Sequence, residues 1–423
     1  MQVVNKKMCV LVILMLVIIE SCTLFLMYKS FSNKNTNLDE VNLNINNSNM
    51  FAIMLEQSDG TYKEYTSTTW PKNMKFNSEL SGCIDINGNK ISNSLKYENG
   101  IATVDTGNTS YCYLYFDALP ANEFLLSNVS SEILWDSTLE DDGYRYVGTN
   151  PNNHICFGTT VKSECVGNTD LYMYRIIGIF EDSDGKEHLK LIKKEALNET
   201  YVWEEDYNTD IDWEESGLYK GINGSYFLMN TTYSYMQSTT WLNKIKTWDY
   251  IATNTKTKEN TGINYYYNSV KTIYLHEMNR STKFDETCYY DESKIVDCSI
   301  GVWKKLVGKI SLIYGNDYLL SLGNSVLEYK SSSNHYLLSD GWLHLSNNDS
   351  GAPSSDEWTM TRSGNNSGFG GSGYQAYFIG NSGGYEKVNV AYANYSVRPV
   401  FYLESSVKIL GGNGDVDDPF IIK

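Results

Sequence analysis

The sequence is poor in several residue types, and each shortage limits the function of the chain. Lys and Arg number 34 against 51 Asp and Glu, which gives a formal net charge of −17. Such a chain repels nucleic acid, whose binding depends on contacts between cations and phosphates. Histidine occurs five times, which leaves few candidate bases and metal ligands. We therefore expect no nucleic-acid partner.

Sequence patterns of common enzymes are also scarce. The chain has no Cys-x-x-Cys and no phosphate-binding P-loop. His276-Glu277 begins a pattern like that of zinc proteases, but Arg280 occupies the position of the second histidine ligand. Acidic runs such as Glu204-Glu205-Asp206 are typical of solvated faces. The two carboxylates of a glycosidase need not be close in sequence, so an enzyme acting on cell-wall polysaccharide stays an alternative.

One long apolar stretch lies near the N-terminus. Residues 8–27 form about twenty largely apolar residues, enough for a helix to cross a hydrocarbon core of about 30 Å. Lys6 and Lys7 precede the stretch, and basic residues favour the cytoplasmic side. We predict a cytoplasmic segment over residues 1–7, a transmembrane anchor over residues 8–28, and an extracellular body at the cell membrane.

Two other modes of attachment stay open. Cleavage before Cys22 would produce a lipoprotein, and cleavage after a shorter apolar core would produce a secreted protein. Glu20 is costly inside a bilayer unless it is paired or protonated. A tolerated polar residue or a contact between helices explains it better than a pilin-type anchor, because the leader pattern of pilins is missing. Each alternative leaves the body outside the cell.

The eight cysteines fall into two groups. Cys9 and Cys22 lie in the apolar stretch, and the other six form three local pairs. An even number of cysteines outside the membrane is typical of an oxidising compartment. No histidine lies at the spacing of a zinc site, so the sequence predicts no metal site. The predicted disulfide bonds are Cys83–Cys112, Cys156–Cys165 and Cys288–Cys298.

Composition predicts an α+β protein rich in strands. The 32 glycines, six prolines and frequent Asn and Thr favour strands joined by turns. Residues 29–49 are polar and predict a stalk. Residues 50–117 predict a small β domain with a hairpin at Asn87-Gly88. Residues 118–140 predict a helical linker, and residues 141–423 predict a larger domain.

Local patterns predict elements within the larger domain. Asp182-Ser183-Asp184-Gly185 separates two apolar runs and predicts a hairpin turn. The turn lacks the further carboxylates of a twelve-residue calcium loop. We therefore expect no cofactor, with calcium as the alternative. Residues 225–251 have apolar residues at helical spacing and predict the main helix. Residues 302–320 predict a helix mixed with the segment Lys309-Ile310-Ser311-Leu312-Ile313.

A segment rich in Gly, Asn, Ser and Tyr follows at residues 363–395. This composition is shared with adaptable binding surfaces, and aromatic rings stack on the faces of sugars. Loops of β-rich surface proteins also have it without any ligand. The segment predicts a binding site at Tyr374, Tyr377, Tyr385, Tyr392, Tyr395, Asn365 and Asn394.

Several segments resemble a domain of unknown function in Gram-positive bacterial surface proteins. The resemblance covers roughly residues 141–423, and residues 50–117 resemble a small module often placed before that domain. The matching segments are Tyr174-Arg175-Ile176-Ile177-Gly178, Trp213-Glu214-Glu215-Ser216-Gly217-Leu218, Glu357-Trp358-Thr359-Met360-Thr361-Arg362, Ala376-Tyr377-Phe378-Ile379, Ser396-Val397-Arg398-Pro399-Val400-Phe401-Tyr402-Leu403 and Gly411-Gly412-Asn413-Gly414 before Asp418-Pro419-Phe420.

That domain is similar to C-type-lectin-like folds, including those of sulfatase-modifying factors. The resemblance implies that Trp358, Arg362 and Arg398 are structural and that the loops between them bind ligand. The oxidase activity of the sulfatase-modifying relatives needs cysteines, and residues 301–423 contain none. We therefore expect a membrane-anchored extracellular binding or adhesion protein, with a glycan or a surface protein as its ligand. A structural envelope protein without a ligand is the alternative.

Overall fold

The computed structural model describes residues 50–57, 59–66, 71, 73–92, 95–98, 101–104, 111–136, 143–205, 213–254, 288–291, 294–296, 302–323, 341–345, 352–363, 375–391 and 393–423. The predicted anchor and stalk lie outside these ranges. Within them, no helix has both the length and the apolar character needed to span a bilayer. Strands predominate there, which confirms the β-rich α+β class.

The strands are, in chain order, β1 (Met50–Glu56), β2 (Tyr62–Glu64), β3 (Met74–Ile84), β4 (Lys90–Ile91), β5 (Leu95–Glu98), β6 (Ile101–Val104), β7 (Tyr111–Ala118), β8 (Leu134–Asp136), β9 (Tyr144–Tyr146), β10 (His154–Cys156), β11 (Met173–Glu181), β12 (Glu187–Lys193), β13 (Ile245–Lys246), β14 (Trp248–Asn254), β15 (Cys288–Asp291), β16 (Lys294–Val296), β17 (Val302–Gly308), β18 (Glu357–Ser363), β19 (Gln375–Ile379), β20 (Tyr385–Asn389), β21 (Val400–Leu403), β22 (Ile409–Gly411) and β23 (Ile421–Ile422).

The helices are short. The α-helices are α1 (Ala121–Asn128), α2 (Lys162–Gly167), α3 (Thr169–Tyr172), α4 (Gly217–Ile222), α5 (Thr239–Leu242) and α6 (Gly315–Leu320). Two 3₁₀ helices span Trp213–Glu215 and Thr231–Gln237.

The chain forms two compact units. The first unit contains the described residues up to Asn128 together with Lys408–Leu410 and Lys423, and the second contains Val129–Val407 and Gly411–Ile422. In the first unit, a five-stranded sheet has the order β2-β1-β7-β3-β4. β1 and β7 are parallel, and the other neighbours are antiparallel. β5 and β6 form a separate hairpin.

The sequence of β7 explains why one face of this sheet is buried. Its side chains alternate between partly buried and buried positions, as expected for a strand with one face against a core. Leu114 and Phe116 pack with Ile53 and Phe76 in that core. On the same face, Cys83 and Cys112 are directly opposite and form the predicted disulfide.

The predicted hairpin at Asn87-Gly88 is confirmed. Gly88 has a φ of +82°, a backbone conformation that glycine adopts at little cost. The Asp85 carboxylate accepts hydrogen bonds from the backbone N–H groups of Asn87 and Asn89, each at 2.8 Å. The turn therefore sets the register in which Cys83 faces Ile91.

The second unit is built on a seven-stranded antiparallel sheet. Its order is β13-β21-β12-β11-β9-β8, with β10 also paired to β11. β18, β19 and β20 form a second sheet, β14 pairs with β17, and β15 pairs with β16. Because β11 is buried along nearly its whole length, its sequence is almost continuously apolar rather than alternating. A Cβ at Gly178 would lie 2.0 Å from the Tyr144 carbonyl oxygen, so this bulged position of β11 requires glycine.

The hairpin predicted at Asp182-Ser183-Asp184-Gly185 is confirmed, but the main helix predicted over residues 225–251 is wrong. That range holds the Thr231–Gln237 3₁₀ helix, the four-residue α5, and the strands β13 and β14. The aromatic residues that suggested helical spacing are used in sheet packing. Trp248 stacks on Tyr402 of β21 at 3.7 Å between ring centroids. Residues 302–320, predicted to mix a helix with another segment, contain the strand β17 followed by the helix α6.

Candidate functional site

Two of the predicted binding tyrosines belong to the core of the second unit. Tyr377 on β19 and Tyr385 on β20 are buried, and their rings stack at 4.7 Å with an interplanar angle of 12°. A Cβ at Gly315 would lie 2.2 Å from the Tyr385 ring, so this ring packs closely on the first residue of α6. These two side chains hold β19 and β20 against α6 and present little surface to a ligand.

The other predicted binding residues are divided between the surface and the undescribed part of the chain. Tyr395 is partly exposed, and its ring packs on Trp358 at 4.7 Å and on Phe378 at 4.6 Å. Asn394 beside it is exposed. Tyr201 exchanges backbone hydrogen bonds with Tyr395 and stacks on Tyr226 at 4.1 Å. The remaining predicted residues, Tyr374, Tyr392 and Asn365, lie outside the described residues.

The residues expected to be structural anchor the second unit where the structure describes their side chains. Trp358 is buried and donates a 2.7 Å hydrogen bond from Nε1 to the Tyr201 carbonyl oxygen. Arg398 is fully buried and makes a two-pronged contact with Glu357, with Nε to Oε1 at 2.8 Å and Nη2 to Oε2 at 2.7 Å. Nη2 also donates to the Leu343 carbonyl oxygen at 2.5 Å. The Arg362 side chain lies outside the described part.

A second arginine contacts the buried segment that contains Leu343. The Arg175 guanidinium lies over the Trp342 ring at 4.4 Å and donates from Nε to Asn153 Oδ1 at 2.7 Å. Gly341–Leu345, between the two arginines, is completely buried. Arg175 on β11 and Arg398, two residues before β21, therefore both hold this buried segment.

A further buried ionic cluster joins the sheet to α6. Asp317 accepts a hydrogen bond from the Lys190 ammonium, and its Oδ1 lies 4.0 Å from Arg145 Nε. All three side chains are about 99 % buried, and Lys190 also lies over the rings of Tyr314 and Tyr402. Paired charges inside an apolar surround are typical of a fixed structural contact. We infer that the cluster positions α6 on β12.

His154 gives the second unit a predictable response to acid. Burial, with the positive charge of Arg175 second, lowers the pKa of His154 to about 4. The unfolded chain binds this proton below pH 6.5, whereas the folded chain binds it below about pH 4. We therefore expect the free energy of unfolding to fall as pH decreases through this window, by up to about 3 kcal/mol.

The variant His154→Asn isolates this effect, because it removes the titrating group and keeps a donor for the Gly414 carbonyl oxygen. Urea denaturation at pH 7 and pH 4.5 would be followed by tryptophan fluorescence. Between these two pH values, the free energy of unfolding should fall less for the variant than for the wild-type chain. Equal losses in the two proteins would show that His154 does not control the transition.

At the predicted turn, the Asp182 carboxylate is hydrogen-bonded to neighbouring groups of the protein. It accepts hydrogen bonds from the backbone N–H groups of Asp184 and Lys186 and lies 3.2 Å from Lys246 Nζ. Burial opposes ionisation of Asp182, but these hydrogen bonds and that of His188 lower its pKa to about 2. Across the ranges that the structure covers, no group of three or more His, Cys, Asp or Glu side chains is arranged to hold a metal ion.

The segment Gly380-Asn381-Ser382-Gly383-Gly384 matches the Gly-x-Ser-x-Gly spacing of serine hydrolases. Such a serine lies on a turn between a strand and a helix. Here the segment connects the antiparallel strands β19 and β20, with a hydrogen bond from Gly380 N to the Gly384 carbonyl oxygen. The local geometry is therefore a hairpin turn, and Ser382 does not occupy a nucleophile elbow.

The first unit carries a surface that the sequence pattern does not predict. Tyr111, Tyr113 and Tyr115 alternate along β7, and all three are partly exposed on the sheet face opposite the core. The ring centroids of Tyr111 and Tyr113 are 5.0 Å apart, and those of Tyr113 and Tyr115 are 6.5 Å apart. Tyr62 of β2 adds a fourth ring, edge-on to Tyr115 at 4.9 Å. We call these four residues the tyrosine face.

Polar groups surround one end of the tyrosine face. The Tyr62 hydroxyl donates to Asp117 Oδ1 at 2.5 Å, and Asn77 Nδ2 donates to Asp117 Oδ2 at 2.9 Å. Burial, followed by the hydrogen bond to Asp117, raises the pKa of Tyr62 above its ordinary value. The hydroxyl therefore stays protonated across the physiological range and keeps its donor role.

Fold and site together describe a β-rich, disulfide-bonded protein with a row of surface tyrosines. No family model, no curated protein and no solved structure matches the chain. The resemblance of the tail to a domain of Gram-positive surface proteins therefore stays a prediction.

Proposed function

We propose that this chain is a membrane-anchored extracellular protein that binds an external ligand in adhesion. The observation that carries the proposal is the tyrosine face of the first unit. Tyrosine rings combine apolar area with a polar hydroxyl and are enriched where proteins meet partners. Four contiguous rings on one sheet face give such a surface, and the core on the opposite face does not require them.

The disulfide bonds support a position outside the cytoplasm. Cys83–Cys112 closes in the first unit and Cys156–Cys165 in the second, as the spacing of the cysteines predicts. Structural disulfides persist in oxidising compartments and are rare where thiols are kept reduced. Cys298 is not among the described residues, so the third predicted pair, Cys288–Cys298, stays a prediction.

The second unit fits this role as a rigid scaffold. Its buried arginines and stacked tyrosines fix the sheet of β18, β19 and β20, beside which Asn394 and Tyr395 reach the surface. Binding surfaces on rigid elements lose less conformational entropy when a ligand docks. In this proposal the second unit is a lectin-like domain, and its surface at Asn394 and Tyr395 has a supporting role. The tyrosine face of the first unit makes the main contact with the ligand.

Binding by proteoliposomes tests the proposal. The full chain would be reconstituted in fluorescent vesicles and applied to immobilised glycans and immobilised extracellular proteins. We expect retention on at least one ligand, and we expect Tyr113→Ala to weaken it about tenfold because stacking area is lost.

Tyr144→Ala is the matched control, because Tyr144 is also a partly exposed strand tyrosine but lies in the second unit. It should leave retention unchanged. Failure of every immobilised ligand to retain the wild-type vesicles, or equal retention of the wild-type and Tyr113→Ala vesicles, would contradict the proposal.

A further inference from the structure

The row of rings has a direction, which restricts the shape of its ligand. Tyr111, Tyr113 and Tyr115 occupy alternate positions of one strand, so the row follows β7. Ala52 of β1 faces Tyr113 on one side. On the other side Tyr113 faces Gly82 of β3, and the Lys90 side chain fills the space beside this glycine. A row of rings along one strand is suited to an extended ligand that runs parallel to the strand.

The area of the tyrosine face argues against a protein partner. A tyrosine carries roughly 150–250 Å² of surface in all, so four partly buried rings offer on the order of 200 Å². A stable protein interface needs about 800 Å² from each partner. A polysaccharide chain is thin enough to be covered by such a strip, and each of its sugar rings has an apolar face that can stack on an aromatic ring.

The charges around the tyrosine face nearly balance. Glu56, Glu64 and Asp117 share this face with Lys75 and Lys90, as their strand registers show. Glu56 is also paired with Lys408 and Lys423. The chain as a whole has a net charge of −17. A polyanion would be repelled by the whole protein, and the local balance offers no attraction to compensate. An uncharged ligand is not repelled by the net charge of the protein and needs no local attraction to offset such repulsion.

The polar end of the row can orient such a ligand. Asp117 is held by Tyr62 and Asn77, so its carboxylate is fixed before the ligand arrives. A carboxylate has about four acceptor sites, and those not used by these two donors are suited to sugar hydroxyl groups. A prearranged acceptor next to stacking rings is the combination that distinguishes a sugar from a purely apolar chain.

Together with the proposed function, on which this inference rests, these features specify the ligand class. We propose that the tyrosine face binds a linear, uncharged polysaccharide, whose chain lies along β7 with successive sugars over Tyr111, Tyr113 and Tyr115. The Asp117 carboxylate accepts hydrogen bonds from the sugar at the Tyr115 end.

The test uses the full chain in a polyoxyethylene detergent, which has no sugar head group. Calorimetric titrations would use glucose oligomers with β-1,4 and α-1,4 linkages, mannose oligomers, xylose oligomers and N-acetylglucosamine oligomers, each from two to six units. We expect at least one series to bind, with an affinity that rises at least tenfold between two and four units. Tyr113→Ala should lower the affinity of the longest oligomer about tenfold, and Tyr113→Phe should change it less than threefold.

Tyr113→Phe keeps the ring, so its affinity separates the loss of the hydroxyl group from the loss of the ring, and a circular dichroism spectrum of Tyr113→Ala that matches the wild-type spectrum shows that the alanine variant folds. Absence of binding in all series, an affinity independent of length, or equal affinities of the wild-type and Tyr113→Ala chains would overturn the polysaccharide inference. If vesicles still bind an immobilised protein through Tyr113 while no oligomer binds, the inference fails and the proposed function stands. If neither assay depends on Tyr113, both fail.

Discussion

Replacing Arg398 with leucine should lower the free energy of unfolding of the second unit by about 3–5 kcal/mol. Glu357 is 1 % exposed, and the variant would leave its carboxylate without the two-pronged partner that now neutralises it. The Leu343 carbonyl oxygen would also lose its donor. Urea denaturation of the full chain, followed by tryptophan fluorescence, measures the change.

Two further variants separate the charge from the packing. Arg398→Lys keeps a positive charge but lacks the planar guanidinium group that makes two parallel hydrogen bonds. We therefore expect it to lower the free energy of unfolding clearly, but by less than Arg398→Leu does. The double variant Arg398→Leu with Glu357→Leu removes both charges and should recover part of the stability. If the double variant is less stable than Arg398→Leu alone, the cost comes from packing, and the isolated carboxylate is not its cause.

Removing the Cys83–Cys112 disulfide with serine at both positions should destabilise the first unit by about 3–4 kcal/mol. The bond closes a loop with a sequence separation of 29, and its loss returns that loop entropy to the unfolded chain. The core of this unit is small, so little else offsets the loss. Hydrogen exchange measured by mass spectrometry should show faster exchange throughout β3 and β7.

The Cys156–Cys165 bond provides the matched control. Its sequence separation is 9, so the same reasoning gives about 3 kcal/mol, and the loss should appear in the second unit. Exchange in β3 and β7 should stay at the wild-type rate in this control variant. Faster exchange there in both variants, or in neither, would contradict the assignment of the first bond to the stability of the first unit.

Local pattern predicted those parts of the fold that depend on neighbouring residues. The hairpin turns at Asn87-Gly88 and Asp182-Ser183-Asp184-Gly185 and two cysteine pairs all follow from short-range spacing, and the structure confirms them. The predicted helix over residues 225–251 failed because Trp241, Ile245 and Trp248 match helical spacing by coincidence. Their burial is decided by strands from elsewhere in the chain, such as β21.

Contacts between distant residues were beyond the sequence alone. Lys190 and Asp317 are 127 positions apart, and no spacing rule links them. The tyrosine face was missed for a different reason. Residues 111–116 lie in the range predicted as a small β domain, but both sets of alternating residues there are apolar or aromatic. The sequence therefore did not indicate which set faces the core until Leu114 and Phe116 were seen to pack there.

A structure of the full chain with a bound linear oligosaccharide would show where the ligand lies. We expect sugar rings stacked over Tyr111, Tyr113 and Tyr115, with a hydroxyl group within hydrogen-bonding distance of Asp117. A ligand that instead contacts Asn394 and Tyr395 in the second unit, and leaves the tyrosine face uncovered, would contradict this expectation.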